Sequence, residues 1–220
     1  MTIQVKICGI NSVESADAAV RAGAEFAGLV FHPKSPRALH MEQARALSDR
    51  MKGRTRVVAL VVDPDDATLK TVIAGAKPDF IQLHGSESVA RVGEIKSMTG
   101  LPVIKAIGIA EASDISKATP YEAIADMLMF DAKAPAGATR EGGHGAAFDW
   151  QLLRGRSFSR PWLLAGGLNA DNVARAISIS GVPGVDVSSG VETAPGQKSA
   201  EMIRAFIDSV RNANFASAQI

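Results

Sequence analysis

The chain alternates between short apolar segments and longer segments in which apolar residues recur every three or four positions. The short segments contain mostly Val, Ile, Leu and Phe and few charged residues, which is typical of parallel β-strands buried on both faces. This pattern predicts eight strands, at 3–8, 26–31, 56–62, 79–84, 102–107, 127–131, 161–165 and 184–188.

The segments between the strands have the spacing of amphipathic helices. Three of them, 65–76, 169–180 and 198–211, each carry one apolar stripe at the i, i+3, i+4 spacing. Asn169 or Asp171 is a candidate cap for the second of these helices. Glycine is expected where helices end and strands begin. The glycines at such positions are Gly23, Gly53, Gly75, Gly100 and Gly181.

Strand–helix units that repeat eight times are typical of a parallel (β/α)8 barrel, the TIM-barrel fold of the α/β class. An open, doubly wound parallel sheet is the alternative, but the even spacing of the units favours a closed barrel. The length of 220 residues suits one such barrel, and no linker divides the chain. We therefore predict a single domain over residues 1–220.

Composition and charge exclude several classes of function. The net charge is +1, from 24 basic and 23 acidic residues, and no long run of charge occurs, so nucleic acids and membrane surfaces are not expected partners. The longest apolar runs are too short to span a bilayer, and the N-terminus begins directly in a strand without a signal region. The one cysteine cannot form an internal disulfide, so the reducing cytoplasm is the expected location.

Within each of several predicted strand ends, the polar residues are two positions apart and therefore face the same side of the strand. In a barrel, alternate residues of each strand face the interior, and the carboxyl ends of the strands surround the active site. A hydrophobic core alone does not require polar groups at these positions, so we predict that they line a site. The predicted inward pairs are Lys6 with Cys8, Gln82 with His84, Met129 with Asp131, and Asp186 with Ser188.

Two glycine-rich segments, 163–173 and 185–193, follow the last two predicted strands. The loops after strands seven and eight are the usual phosphate site of this fold, where backbone N–H groups hold the anion. Tight turns would explain either segment alone, but the two together favour phosphate binding. The candidate donors are Gly166, Gly167, Ser188, Ser189 and Gly190.

Cys8 and Asp131 end the first and sixth predicted strands, and they are candidates for a catalytic base and acid. A thiol has an ordinary pKa of about 8.5, and we expect the nearby cation of Lys6 to lower it. A lone buried cysteine is, however, more often a small hydrophobic residue, and a helix cap or a loop hydrogen bond would explain Asp131 equally well. Spacing alone does not decide between these interpretations.

Arg37 follows the second predicted strand and could bind a carboxylate through two parallel hydrogen bonds, although a surface arginine is the simpler interpretation. His84 is expected to line the pocket. The four histidines have no metal-ligand spacing, and Cys8 has no second cysteine beside it, so no metal site is predicted. Neither a dinucleotide fingerprint nor a Walker loop is present, and no cofactor is expected.

Six motifs, in order along nearly the whole chain, resemble those of the phosphoribosylanthranilate isomerase family of tryptophan biosynthesis. The first and last of them together are close to diagnostic. The motifs are KICGI (6–10), GLVFHPKSPR (28–37), IQLHGSE (81–87), GGHGAAFDW (142–150), LLAGGLNADNV (163–173) and VDVSSGVE (185–192).

The resemblance implies an aldose–ketose isomerase that performs an Amadori rearrangement without a cofactor. N-(5-phospho-β-D-ribosyl)anthranilate would become 1-(2-carboxyphenylamino)-1-deoxy-D-ribulose 5-phosphate. Asp131 matches the family's general acid, which opens the ring, and Cys8 matches the base that removes the C2′ proton. Arg37 matches the residue that binds the anthranilate carboxylate, and Asp186 lies near the anthranilate. Gln82 and His84 complete the predicted substrate-binding residues.

One departure from the family pattern lies in the long loop 132–148. The family usually has Gly-Gly-Thr-Gly before Phe-Asp-Trp, whereas this chain has His144 after Gly143. The resemblance implies that this loop covers the site and helps to bind phosphate, so Gly143 and His144 are added to the phosphate-binding residues. The family also occurs fused to indole-glycerol-phosphate synthase, and this chain is predicted to be the free-standing form.

Three rival hypotheses remain at this point. A ribulose-phosphate epimerase would need a metal site, and a histidine-pathway isomerase would use two aspartates, against which Cys8 argues. A silent ligand-binding barrel would be free to lose Cys8, Asp131 and Arg37, which are all present. No interface stripe is recognisable, so both a monomer and a homodimer are compatible with the sequence.

Overall fold

Eight parallel strands form a closed barrel in a computed structural model that describes residues 2–133 and 147–217, with side chains up to residue 213. Each strand pairs with its neighbours in the chain, and β1 pairs with β8 to close the ring. The predicted TIM barrel is therefore confirmed, and the open sheet is wrong. The strands are β1 (Gln4–Cys8), β2 (Phe26–Val30), β3 (Arg56–Val61), β4 (Phe80–Leu83), β5 (Val103–Ile109), β6 (Met127–Ala132), β7 (Trp162–Leu164) and β8 (Gly184–Val187).

Helices follow the strands and cover the outside of the barrel. A 3-10 turn, Trp150–Leu153, precedes β7 within the described residues. None of the described helices is long and apolar enough to span a membrane. The helices are α1 (Val13–Ala22), α2 (Met41–Met51), α3 (Asp66–Ala76), α4 (Val89–Thr99), α5 (Ala112–Ile115), α6 (Thr119–Glu122), α7 (Val173–Ser180) and α8 (Ala200–Ser217).

The prediction that glycines mark the helix ends is confirmed only in part. Gly23, Gly100 and Gly181 are left-handed caps of α1, α4 and α7, as predicted. Gly75 does not end α3, because the helix continues to Ala76. A Cβ at Gly75 would lie 2.9 Å from Met41 Sδ, so the glycine allows the start of α2 to pack closely against α3.

The seventh helix also begins later than predicted. The Asn169 side chain accepts hydrogen bonds from the backbone N–H groups of Asp171 and Asn172, at 2.9 and 3.1 Å, and these bonds hold the residues in a turn. The helix starts only at Val173, and its cap residue, Asn172, makes no capping bond with its own side chain. The predicted caps at Asn169 and Asp171 are therefore wrong, because local side-chain bonds compete with the helix here.

The interior of the barrel is filled by apolar side chains below the strand ends, and it positions the polar residues above them. Met129 and Leu163 are fully buried there, and Phe26 packs edge-on against Phe80 with the ring centres 5.4 Å apart. The other members of this cluster are Val58, Ile104, Ala106, Met127 and Ala165. The polar side chains one or two positions further along the strands therefore lie directly above a close-packed apolar layer.

A short hairpin after β8 was not predicted from the sequence. A 3-10 turn over Ser189–Val191 leads into β9 (Glu192–Ala194), which pairs antiparallel with β10 (Gln197–Lys198). The hairpin connects the last barrel strand to α8. Its polar side chains are part of the site described next.

Candidate active site

The end of β1 carries Lys6 and Cys8, which both face the interior. Lys6 Nζ donates a hydrogen bond to Asp186 Oδ1 at 2.8 Å, and the lysine is fully buried. Gly28 on β2 lies opposite. A Cβ at Gly28 would be 3.1 Å from both Cys8 Sγ and Lys6 Nζ, so the glycine keeps this space open. The predicted inward parity of Lys6, Cys8 and Asp186 is confirmed by these contacts.

The pKa of Cys8 is raised above its ordinary value, chiefly because the thiol is buried. Lys6 lowers it, as expected from the sequence, but does not overcome the loss of hydration. The expected net decrease is therefore wrong in sign. Burial alone would lower the pKa of Lys6, yet Asp186 and Cys8 outweigh this effect and the pKa of Lys6 is raised.

Asp131 at the end of β6 is held by bonds to both of its oxygens. Oδ1 accepts from the backbone N–H of Ala132 at 2.9 Å, and Oδ2 lies 3.1 Å from His84 Nε2. A Cβ at Gly166 would lie 2.6 Å from the nitrogen of Ala132 and 3.1 Å from Asp131 Oδ1. The end of β7 therefore packs directly against the carboxylate, which leaves it nearly buried.

Gln82 lies behind His84 and orients its ring. Gln82 Nε2 is 2.9 Å from His84 Nδ1 and 3.4 Å from Met129 Sδ. Because an amide nitrogen donates, Nδ1 accepts, and the ring proton is then on Nε2, directed at Asp131. Gln82 itself is fully buried, and its Oε1 has no partner within the described residues. Its predicted contact with substrate stays a prediction, and this placement favours a role through His84.

Arg37 is buried and paired rather than exposed on the surface. Its Nε and Nη2 donate to the two oxygens of Glu192, both at 2.7 Å. Its side chain crosses the backbone after Cys8, where a Cβ at Gly9 would lie 2.4 Å from Arg37 Cδ. Lys198 Nζ donates to Glu192 Oε1 at 2.6 Å. The interpretation of Arg37 as a surface residue is therefore wrong.

Glu192 and Lys198 were not recognised as site residues from the sequence. Glu192 ends the last quoted motif, but nothing local shows that it meets an arginine 155 positions earlier. Burial raises the pKa of Glu192, yet Arg37 and Lys198 outweigh this and the pKa is lowered, so the carboxylate stays charged. Burial also lowers the pKa of Lys198, despite the opposing effect of Glu192.

The loops after β7 and β8 lie against each other. Gly166 and Gly167 have positive φ angles of 87° and 63°, which favour glycine. A Cβ at Gly190 would lie 1.9 Å from the carbonyl oxygen of Leu168, so the loops can approach this closely only with glycine there. Gly166, Gly167, Ser188, Ser189 and Gly190 are all half-buried, which leaves them accessible to a ligand. Gly143 and His144 lie outside the described residues.

A second buried ion pair supports the loop that follows His84. Lys105 Nζ donates to Glu87 Oε2 and to the carbonyl of Gly85, both at 2.7 Å. Glu87 also accepts from the backbone N–H of Asp63 at 2.9 Å. Among the described side chains, no group of three or more His, Cys, Asp or Glu residues is arranged to hold a metal ion.

Comparisons with protein families and with curated proteins identify relatives of the same family. The N-(5'-phosphoribosyl)anthranilate (PRA) isomerase family matches residues 5–209. A curated N-(5'-phosphoribosyl)anthranilate isomerase from Rhodopseudomonas palustris is 52% identical over 96% of this chain and 97% of its own. Another, from a Bradyrhizobium strain, is 48% identical over the full length of both chains.

Solved structures give the same result. The phosphoribosyl anthranilate isomerase of Thermotoga maritima superposes with a TM-score of 0.87 at 35% identity, over 96% of this chain and 100% of the other. A phosphoribosyl anthranilate isomerase in complex with reduced 1-(o-carboxyphenylamino)-1-deoxyribulose 5-phosphate has a TM-score of 0.82 at 33% identity, with the same coverage. A third solved structure shows monomers generated from the dimeric phosphoribosylanthranilate isomerase of Thermotoga maritima. It has a TM-score of 0.82 at 33% identity, over 96% of this chain and 100% of the other.

Proposed function

The chain belongs to the N-(5'-phosphoribosyl)anthranilate isomerase family and is an isomerase of tryptophan biosynthesis, and we propose that Cys8 and Asp131 are its general base and general acid. The reaction converts N-(5-phospho-β-D-ribosyl)anthranilate to 1-(2-carboxyphenylamino)-1-deoxy-D-ribulose 5-phosphate. Cys8 and Asp131 lie at the same end of one closed barrel, on β1 and β6. This arrangement is the observation that best supports the proposal.

The first step requires a proton on the furanose ring oxygen. Asp131 donates it, the C1′–O bond breaks, and the nitrogen lone pair forms the Schiff base. His84 and the N–H of Ala132 contact the two carboxylate oxygens, at 3.1 and 2.9 Å, and fix the direction in which the acid points. Gln82 supports this geometry from behind through its bond to His84 Nδ1.

The second step removes the proton from C2′. Cys8 takes it as thiolate, and the electrons of the C–H bond flow towards the protonated imine nitrogen to give the enolamine, which tautomerises to the ketone. Because burial favours the neutral thiol, the cations around Cys8 are needed to make the thiolate accessible. Lys6, Lys198 and Arg37 all lower the pKa of Cys8. The anilinic nitrogen serves as the electron sink, so no cofactor or metal enters the proposed mechanism.

The two ends of the substrate are held by different parts of the barrel. Arg37 binds the anthranilate carboxylate, and Asp186, fixed by Lys6, lies beside the anthranilate. The loops after β7 and β8 hold the phosphate through backbone N–H groups of Gly166, Gly167 and Ser188 to Gly190. The sequence resemblance adds Gly143 and His144 to this phosphate site.

Residues 1–220 are proposed to form one domain that acts in the cytoplasm as a monomer or a homodimer. A relative of known structure is dimeric. Light scattering on the purified chain distinguishes these two states. The only ligand required is the phosphosugar substrate.

The loss of substrate fluorescence during turnover tests the proposed function. The anthranilate group is fluorescent and the product keeps it, so chromatography of the product must accompany the fluorescence signal to identify the aminoketose. Wild-type protein is expected to consume the substrate without added metal or cofactor and in the presence of a chelator. A protein that binds the substrate but leaves the signal unchanged would refute the proposed roles of Cys8 and Asp131 together.

A further inference from the structure

The β9–β10 hairpin contacts both the loop after β1 and the segment that carries Arg37. Asn11 Nδ2 donates to the carbonyl oxygen of Gly196 at 2.8 Å. Gly196 lies at the hairpin turn with a φ of 80°, and a Cβ there would be 2.5 Å from the carbonyl oxygen of Pro36. The hairpin therefore approaches the backbone next to Arg37 more closely than any other residue type at this turn would allow.

Glu192 on this hairpin fixes the plane of the Arg37 guanidinium. It accepts from Nε and Nη2 together, and the side chains of Arg37 and Glu192 are only 6% and 3% exposed. A guanidinium has five N–H groups in one plane, so a bond to this edge leaves the edge formed by Nη1 and the outer side of Nη2 for a second carboxylate. Because the arginine stem is confined beside Gly9, both the stem and the plane are set by neighbours.

Lys198 connects the pair to the predicted phosphate loop. Its Nζ donates to Glu192 Oε1 at 2.6 Å, to the carbonyl of Ser188 at 2.9 Å and to Ser188 Oγ at 3.3 Å. Its side chain is fully buried. When Lys198 is protonated, two cations share one carboxylate, and this group of three side chains has a net charge of +1. A buried net positive charge favours a ligand that brings an anion.

We propose that Glu192 is a positioning residue that gives the site its selectivity for a ligand with an aromatic carboxylate, by presenting the free edge of Arg37 at a fixed distance from the phosphate loop. The inference rests on the proposed function, in which Arg37 binds that carboxylate. It goes further because it assigns selectivity to a residue that acts only through Arg37. Lys198 maintains the geometry by holding Glu192 and Ser188 together.

The test compares two ligands that differ in one group. The first is the reduced 1-(o-carboxyphenylamino)-1-deoxyribulose 5-phosphate bound by a relative, and the second is the same compound without its carboxyl group. Calorimetric Kd values for both give a selectivity ratio. Wild type is expected to prefer the first ligand by about tenfold or more, as for a charge-assisted hydrogen bond. Glu192→Gln makes the group more positive, which by charge alone would favour the carboxylate, so the expected fall of the preference to within about threefold reports the lost orientation of Arg37. The affinity for the second ligand should change little.

The matched control is Glu87→Gln, because Glu87 is also a buried glutamate paired with a lysine, but it contacts Lys105 rather than Arg37. Its selectivity ratio should remain that of wild type even if its stability falls. In Arg37→Ala the ratio should already be lost, and adding Glu192→Gln should not change it further. A further change in the double variant would mean that Glu192 does not act through Arg37, and would overturn the proposal.

Glu192→Asp provides a second variant if the glutamine variant does not fold. Aspartate keeps the negative charge, but its side chain is shorter, so its carboxylate lies farther from Arg37. The selectivity ratio should therefore fall although the two side chains still have opposite charges. If either folded Glu192 variant weakens both ligands equally and keeps the wild-type ratio, the pair only stabilises the fold and the inference is wrong. If wild type itself shows no preference, the role of Arg37 in the proposed function fails instead, and the two failures are thereby distinguished.

Discussion

Lys6 on the first strand of the barrel and Asp186 on its eighth strand form a buried ion pair, with Nζ and Oδ1 2.8 Å apart, where β1 and β8 close the barrel. The pair is in register in the β1–β8 ladder, and Cys8 follows Lys6 on the same face. The contact that completes the fold thus also sets the charge around the proposed base. Lys6 lowers the pKa of Cys8 and Asp186 raises it, so the pair partly cancels at the thiol.

Cys8→Ala is expected to reduce kcat by about a hundred- to ten-thousand-fold, because general bases contribute by this amount. Binding of the reduced product analogue and the melting temperature should change little, since alanine fills most of the same space. Cys8→Ser is the matched control for shape, and it should be nearly as inactive. Retention of more than half of the wild-type kcat would contradict the assignment.

The pH dependence of kcat/KM should report the raised pKa of Cys8. The thiolate is the active form, so kcat/KM should fall by about tenfold for each pH unit below that pKa. Lys6→Met removes a cation that lowers the pKa, and should therefore move this limb of the profile to higher pH. Lys105→Met, which removes a buried lysine of β5, should leave the limb in place. A limb that does not move in Lys6→Met would show that another group titrates.

Asp131→Asn is expected to lose several orders of magnitude in kcat with little change in KM. The amide keeps the shape and the contact with His84 Nε2, but it cannot supply the same proton. Single-turnover rates measure the loss directly. His84→Asn should lose less than Asp131→Asn, because in the proposed mechanism His84 only orients the acid. Turnover of Asp131→Asn within a few-fold of wild type would make His84 or a bound water the next candidate for the acid.

Arg37→Ala is expected to raise KM by an order of magnitude or more, since the loss of a charge-assisted hydrogen bond costs roughly 1.5–3 kcal/mol. The protein should also become less stable, because Glu192 would lose one of its two cationic partners. Denaturant titration beside the kinetic assay separates these effects. An unchanged KM in folded protein would mean that the free edge of Arg37 does not contact the substrate.

Crystals grown in sulfate or phosphate should contain an anion between the loops after β7 and β8, near Gly167 and Ser189. These loops are held in contact by Gly190, where a Cβ would meet the carbonyl of Leu168. Gly190→Ala should therefore separate them and weaken the affinity for inorganic phosphate. Gly93→Ala on α4 is the control, since its φ is not positive and a Cβ there would lie 3.6 Å from Ile124, an ordinary contact. An anion held only by lysine side chains on the outer helices would argue against the site.

The sequence alone determined the repeating strand–helix pattern, and with it the barrel and the strand ends that carry Cys8, Asp131 and Asp186. Side-chain parity along a strand is a local property, so alternation shows which residues face the interior before any pairing is known. The inward orientation of Lys6 and of His84 was predictable for the same reason, and the contacts of both side chains agree with it.

Only the tertiary structure decided how these groups act on each other. Glu192 and Arg37 are 155 residues apart and meet because the hairpin after β8 folds onto the loop after β2, which no local spacing indicates. The sign of the Cys8 shift also depended on the fold. Lys6 is near Cys8 in the sequence, but the dominant effect on the thiol is its burial by the whole barrel end. Loss of hydration is a sum over all neighbours in space, so it cannot be obtained from neighbours in the chain.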